Sequence, residues 1–370
     1  MVFAVVTGGG TSGHVIPAIA VVEALQDAGH GAGEIAYVGS VRGVESSMVP
    51  ATGVECAFLP ISGLQRSFSA RSIVRNAVLP FRLFRSTLAA RRLVRRWRPS
   101  VVVSVGGYAS EPMARAAVAA GVPLVCVSYD FLPGLATRRQ ARKAAACAVA
   151  FEGSNLPHSV VTGAPVRRRV RSMDVGAERG SVRAHMGLSA DEVLVTVVGG
   201  SLGSATLNSA VPGIVESLAA AGVRARLHHV TGPRVVPIDE VETVGTVSIA
   251  RTTVENDMPG VLAATDVLVS RAGASTVAEI ASIGVASVLV PWPGAADNHQ
   301  ESNARWLAED GAAILVIESG SVSSDLASVV VDLAADPVRR AALARQARAK
   351  GARNRGNGLV ELVEKAARTD

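Results

Sequence analysis

Apolar residues in this chain alternate between two rhythms: short, nearly unbroken runs, and longer stretches in which they recur every three or four positions. The first run, Val2 to Val6, breaks at Gly8-Gly9-Gly10 and a hydroxyl pair. Ile16, Ile19, Ala20, Val22 and Leu25 then follow at helical spacing. That order predicts a strand, a tight turn, and a helix to about Gly29. Further strands are expected at Ile35–Val38, Cys56–Leu59, from Ser100 into the glycines before Tyr108, and at Leu124–Ser128, Ala148–Phe151 and Ser159–Thr162, with helices at Pro112–Ala120 and Leu135–Ala146. Arg167 to Asp191 is charged and reads as a linker. The pattern then restarts with a strand at Glu192–Val198, a glycine turn at Gly199 to Ser204, and a helix at Ala205–Ala221. Strands at Arg226–Val230, Val247–Ala250, Val267–Ser270 and Ser287–Val290 complete the second half, and Pro337 to Arg368 reads as Ala- and Arg-rich helices.

Strands that alternate with helices imply parallel sheets covered on both faces. With 370 residues the chain exceeds one ordinary core, so the fold class expected is α/β, with two Rossmann-like, doubly wound domains facing a cleft. Their boundaries are expected at 1–165 and 166–351, with a C-terminal helix at about 352–370 packing back on the first. Ligands of such sheets bind at the carboxyl ends of the strands.

Composition narrows the chemistry. Hydrophobic residues make up 49% of the chain, and Cys56, Cys126 and Cys147 show no ligand spacing, so buried free thiols are expected and no metal site. Met1 leads directly into a strand, and no run of 18 apolar residues occurs, which argues against export or membrane spanning. The net charge of +6 is concentrated: no Asp or Glu lies between Glu55 and Glu111, while Arg66, Arg71, Arg75, Arg82, Arg85, Arg91, Arg92, Arg95, Arg96 and Arg98 all do. Leu79, Phe81, Leu83 and Phe84 are interleaved with them. A solvated Arg-rich helix is one reading; a basic amphipathic surface for anionic lipid headgroups accounts better for the apolar residues. Nucleic-acid binding is not expected, since stacking aromatics and the known fold motifs are missing.

Gly8-x-Gly10-x-x-Gly13 matches a dinucleotide-binding pattern, yet strand two ends at Gly39-Ser40 with no acidic residue to hold a ribose. What remains is a turn whose glycines admit a ligand and whose following helix presents N–H groups to a phosphate. His14, at the start of that helix, is placed to act as a general base. In the second half Ser270 to Glu279 again runs from strand to helix, and Glu279 is a candidate for two ribose hydroxyls. Asp297-Asn298-His299-Gln300 opens another helix, with His299 and Gln300 as candidates for sugar hydroxyls and Asp297 or Asn298 as a cap.

GGGTSGHVIPA, GGYAS (106–110), TGAPVR (162–167), GGSLGS (199–204), SRAGASTVAEI (270–280) and DNHQESNA (297–304), in this order, resemble the MurG family of peptidoglycan N-acetylglucosaminyltransferases. The resemblance implies a GT-B fold and an inverting transfer from UDP-GlcNAc to lipid I, without a cofactor. It implies that Gly10, Thr11, Ser12 and Gly13, with Gly106, Gly107 and Tyr108, receive the lipid diphosphate, and that His14 is the catalytic base. Donor contacts would come from Thr11, Ser12, Asp130, Arg167, Ser201, Glu279, His299 and Gln300. Arg75, Leu79, Phe81, Arg82, Phe84 and Arg85 correspond to the family's contact with the cytoplasmic membrane face. With no Asp-x-Asp motif in a suitable loop, helix N-termini and Arg167 are expected to stabilise the departing diphosphate.

Two departures from the family matter. Val127-Ser128-Tyr129-Asp130 stands where His-Glu-Gln-Asn or a close variant is usual, and Leu202 where glutamine is common. A related prenyl-linked acceptor, another UDP-sugar, a non-catalytic sugar-nucleotide binder and a UDP-GlcNAc 2-epimerase are the alternatives at this level.

Overall fold

The computed structural model describes residues 1–63, 78–235 and 242–368, apart from the side chain of Ser12. Arg66, Arg71, Ile73, Val74 and Arg75 of the basic segment lie outside the described residues. The chain divides into two compact units, Met1–Arg168 with Arg353–Asp370, and Arg169–Ala352.

The first unit is built on β1 (Ala4–Thr7), β2 (Ile35–Ser40), β3 (Glu55–Leu59), β4 (Val101–Ser104), β5 (Leu124–Ser128), β6 (Ala146–Val149) and β7 (Ser159–Val161). All pair in parallel in the order β3-β2-β1-β4-β5-β6-β7, with Val5 opposite both Ala36 and Val102. Every residue of β1, β4 and β5 is buried, because helices cover both faces, and this is why those strands are runs of valine instead of alternating patterns. The helix Leu79–Trp97 packs against the helix Glu111–Ala119. The helix Gly358–Ala367 belongs to this unit, where Glu364 meets His30 at 3.1 Å.

The second unit repeats the plan with β8 (Val193–Val198), β9 (Ala225–Val230), β10 (Glu242–Val244), β11 (Val247–Thr252), β12 (Val267–Ser270), β13 (Ser287–Leu289) and β14 (Ile314–Leu315). Its order is β10-β11-β9-β8-β12-β13-β14, parallel except for the edge strand β10. In both sheets the chain starts in the middle, winds outward one way, then returns to wind the other. The reversal lies between β1 and β4 in one sheet and between β8 and β12 in the other, and crevices for ligands form there.

Three local expectations are corrected. The stretch read as a linker folds into the helices Arg168–Arg171 and Val175–His185. Asp174 caps the second by accepting the N–H groups of Gly176 and Ala177, and Arg179 and Arg183 both grip Asp266, at 2.6 and 2.9 Å. The helix expected to run to Ala146 ends at Ala141, and β6 begins at Ala146 because an alanine-rich run fits either element until the sheet pairs it. Cys126 and Cys147 are buried, but Cys56 is half-buried, since β3 is an edge strand.

Candidate active site

At the reversal point of the first unit, the loops after β1 and β4 interlock. Gly107 has φ of +76°, and a Cβ built there would stand 2.6 Å from the Gly9 carbonyl oxygen and 2.9 Å from Cδ2 of His14, so only glycine allows the two loops and the imidazole to meet. The Tyr108 ring lies against Gly10 and Gly63. The turn is held from beneath. Tyr37 donates its hydroxyl to the Gly8 carbonyl at 2.7 Å, and the fully buried Glu45 accepts the N–H groups of Gly10 and Ser40. Burial, with the Glu45 charge beside it, pushes the Tyr37 hydroxyl far above its ordinary pKa.

The Gly10 amide is engaged by Glu45. The donors of this turn are therefore those of the helix Ser12–Asp27, which starts at Thr11 without a side-chain cap. The N–H groups of Ser12 and Gly13, in its first turn, have no intrahelical acceptor. His14, at the third position, is half-buried. Next to it opens a pocket of about 190 Å³ lined by His14, Gly107, Ser128, Tyr129, Asp130 and Thr137. Val127 contributes only apolar surface there and is buried. Nδ1 of His14 lies 2.5 Å from the Tyr129 hydroxyl, which also donates to the Gly13 carbonyl at 2.8 Å. Burial, followed by the charge of Asp130, raises the Tyr129 pKa well above the usual phenol range. Arg167, expected beside the UDP diphosphate, sits in the first unit, where its guanidinium meets Glu23 at 2.9 Å.

In the second unit the loop Gly199 to Ser204 follows β8. Ser204 caps the helix Ala205–Ala220 through the Leu207 N–H, and Ser201 and Leu202 are exposed at the loop tip. Gly203, at φ of +75°, lies against Thr231 and Gly232, too close for any side chain. Arg271, at the end of β12, is the strut of this crevice. It donates to Ser204 Oγ (3.1 Å), to the carbonyls of Val290 and Pro291 (3.1 and 3.2 Å), and to Glu318 (2.5 Å). Glu318 in turn accepts from Thr206. The guanidinium of Arg271 thus ties the start of the helix Ala205–Ala220 to the ends of β12 and β13. Buried Asn303 adds a bond to the Ala272 carbonyl at 3.3 Å.

Around that frame stand the sugar candidates. Glu279 is half-buried on the helix Ala274–Ile283. Asn298, in the left-handed region at φ of 53°, precedes the helix His299–Ala308, with no side-chain cap bond; its amide donates to Glu301 instead. His299 Nδ1 lies 2.7 Å from the Ala296 carbonyl, and a carbonyl can only accept, so Nδ1 carries the proton. Gln300 accepts the Trp292 N–H with its oxygen at 3.0 Å, and the polar group left to its side chain is the NH2 donor. His228 and His229 lie on β9, where His228 meets Glu255 at 3.1 Å and His229 Nε2 donates to Asn208 Oδ1 at 2.9 Å.

The sequence reading assigned no role to Glu45, Tyr129, Arg271 or Glu318. Arg271 left a signal, a lone arginine between a buried valine run and three small residues. The others act through contacts many positions away.

The N-terminal domain of glycosyltransferase family 28 matches residues 4–149, and its C-terminal domain matches residues 194–357. The chain is 34% identical over 378 residues to the UDP-N-acetylglucosamine–N-acetylmuramyl-(pentapeptide) pyrophosphoryl-undecaprenol N-acetylglucosamine transferase of Desulforudis audaxviator, covering 98% of each. It is 36% identical to the transferase of the same name from Paenarthrobacter aurescens, covering 98% of this chain and 95% of that one. The crystal structure of MurG from Acinetobacter baumannii superposes with a TM-score of 0.74 at 25% identity, over 98% of this chain and 99% of that one. Two doubly wound parallel sheets with the same winding are the GT-B architecture, and the chain belongs to glycosyltransferase family 28, in its MurG branch.

Proposed function

We propose that this protein transfers N-acetylglucosamine from UDP-GlcNAc to the 4-hydroxyl of the N-acetylmuramyl unit of lipid I, giving lipid II for peptidoglycan synthesis. The observation that carries the reading is identity of 34 to 36% along nearly the whole chain to transferases named for this donor and acceptor. The acceptor oxygen forms its bond to the anomeric carbon from the face opposite the departing UDP, which leaves with the bonding electron pair. The acceptor's proton goes to His14.

Division of labour between the units follows from their residues. The first-turn N–H groups of Ser12 and Gly13, with Thr11, Gly106, Gly107 and Tyr108, receive the lipid diphosphate. Ser201 and the N-terminus of the helix Ala205–Ala220 receive the UDP diphosphate as its charge grows, and preorganised donors of this kind supply about 3 kcal/mol each. Glu279 accepts from the ribose hydroxyls. His299 and Gln300 take the GlcNAc hydroxyls, with Asp130 as a further acceptor.

The protein works at the cytoplasmic face of the membrane as a peripheral protein. No helix among the described residues is long and apolar enough to cross a bilayer. On the helix Leu79–Trp97, Ser86, Ala90, Val94 and Trp97 are buried, while Phe81, Phe84 and Leu88 are 60, 62 and 39% exposed. At 100° per residue the two sets occupy opposite faces, so an apolar stripe points away from the core. Arg85 lies over the Phe81 ring at 5.8 Å, and Arg91, Arg92 and Arg95 border the stripe, a composition suited to anionic headgroups. A donor screen in the presence of a short-chain lipid I analogue tests the reading: UDP-GlcNAc should outperform UDP-glucose, UDP-galactose and UDP-GalNAc. Preference for another sugar would reject it.

A further inference from the structure

Helix Ser12–Asp27 contains Pro17 in its second turn. In an α-helix the carbonyl of residue i takes the N–H of residue i+4, and proline has none, so the Gly13 carbonyl loses its helical donor. The Tyr129 hydroxyl fills that place from the end of β5, donating to the Gly13 oxygen at 2.8 Å. Tyr129 is 5% exposed, and burial beside Asp130 raises its pKa, which keeps the phenol neutral and able to donate.

That bond has a consequence for the neighbouring imidazole. A phenol has one proton to give, and a carbonyl can only accept, so the proton of Tyr129 is committed to Gly13. Nδ1 of His14 lies 2.5 Å from the same oxygen, with the rings edge-on at 69°. Two lone pairs at that distance would repel, so Nδ1 supplies the proton of this second bond. In a neutral imidazole the lone pair is then on Nε2.

We propose that Tyr129 is a positioning residue for the transfer: through the Gly13 carbonyl it holds His14 in the Nδ1-protonated tautomer, presenting Nε2 as the basic atom. The inference rests on the reading of His14 as the base. When the acceptor hydroxyl forms its bond to the anomeric carbon, its proton passes to Nε2, and the imidazolium retains its Nδ1–H bond to Tyr129. In many enzymes a carboxylate orients the catalytic histidine. Here a tyrosine does so, secured by a carbonyl that Pro17 leaves open. Val127 and Ser128 stand where the family usually has histidine and glutamate, and Tyr129, next in this segment, bonds to the base.

Long-range 1H–15N spectra of histidine-labelled protein read the tautomer directly, with the His14→Gln spectrum assigning His14 among the seven histidines. The wild-type protein should show His14 protonated at Nδ1 and bare at Nε2. In Tyr129→Phe the population should move toward the Nε2-protonated form, with kcat reduced on the order of tenfold and the KM for UDP-GlcNAc unchanged within about twofold. His14 found protonated at Nε2 in the wild type, or a tautomer indifferent to Tyr129→Phe, would overturn the proposal. A fully active His14→Ala variant overturns the base assignment and not the tautomer, which the wild-type spectrum reads by itself.

Discussion

Both carboxylate oxygens of the fully buried Glu45 lie within hydrogen-bond reach of the Gly10 amide, at 3.2 and 3.1 Å. The glycine turn that opens the chain therefore carries an anion of its own, which also accepts from Ser40 at 2.8 Å. Replacing Glu45 by alanine leaves the buried Ser40 N–H and the half-buried Gly10 N–H without this acceptor. The expected cost is about 3 kcal/mol in urea unfolding, together with a raised KM for the lipid acceptor and little change for the donor. A stability loss under about 1 kcal/mol would show that the turn keeps its shape without Glu45.

Steady-state kinetics should separate the two halves of the site. His14→Ala is expected to lower kcat by on the order of a hundredfold or more while leaving UDP affinity nearly intact. Glu279→Ala should instead raise the KM for UDP-GlcNAc by about tenfold to a hundredfold, the worth of hydrogen bonds to a charged group. Equal loss of UDP affinity in both variants would refute this division.

Exposed Phe81 and Phe84 predict membrane binding with an apolar component. Sedimentation with vesicles containing anionic phospholipid should show the double variant Phe81→Ser, Phe84→Ser bound at least about tenfold more weakly, since each buried aromatic side chain contributes about 1.5 to 3 kcal/mol. Added salt should weaken what remains, because the arginines act through screened charge. Undiminished binding of the double variant would remove this helix from the interface.

Stability should fall on the acid side through His229. Its burial, followed by the charges of Arg251 and His228, lowers its pKa from 6.5 to about 4. The unfolded chain therefore takes up the proton first as pH falls, and stability that is whole above pH 6.5 declines down to about pH 4. Glu255, held below the ordinary carboxylate range first by its bond to His228, adds a further loss in more acidic solution. Urea midpoints measured across this range should flatten in His229→Gln. An unchanged slope in the variant would assign the acid sensitivity elsewhere.

The architecture was legible because it rests on local signals. The valine runs of β1, β4 and β8 and the glycine turns after them are read from a few neighbouring residues, and together they locate both reversal points. Helix Val175–His185 was missed since it buries none of its side chains and is held by Arg179 and Arg183 reaching Asp266, a contact without local pattern. The same reason hid the supports of the site. Glu45 acts on a glycine 35 positions away, Tyr129 on a histidine 115 away, and Arg271 on a glutamate 47 away. Sequence spacing pointed to the candidates His14, Glu279, His299 and Gln300, while Tyr129, which meets His14, follows a different strand.

Acceptor-dependent release of UDP tests the central claim most directly. Purified protein given UDP-GlcNAc and a short-chain lipid I analogue should release one UDP for each disaccharide product formed, and release should fall to a trace when the acceptor is left out. UDP-GlcNAc binding with no UDP released in the presence of acceptor, or UDP-ManNAc formed without any acceptor, would contradict it.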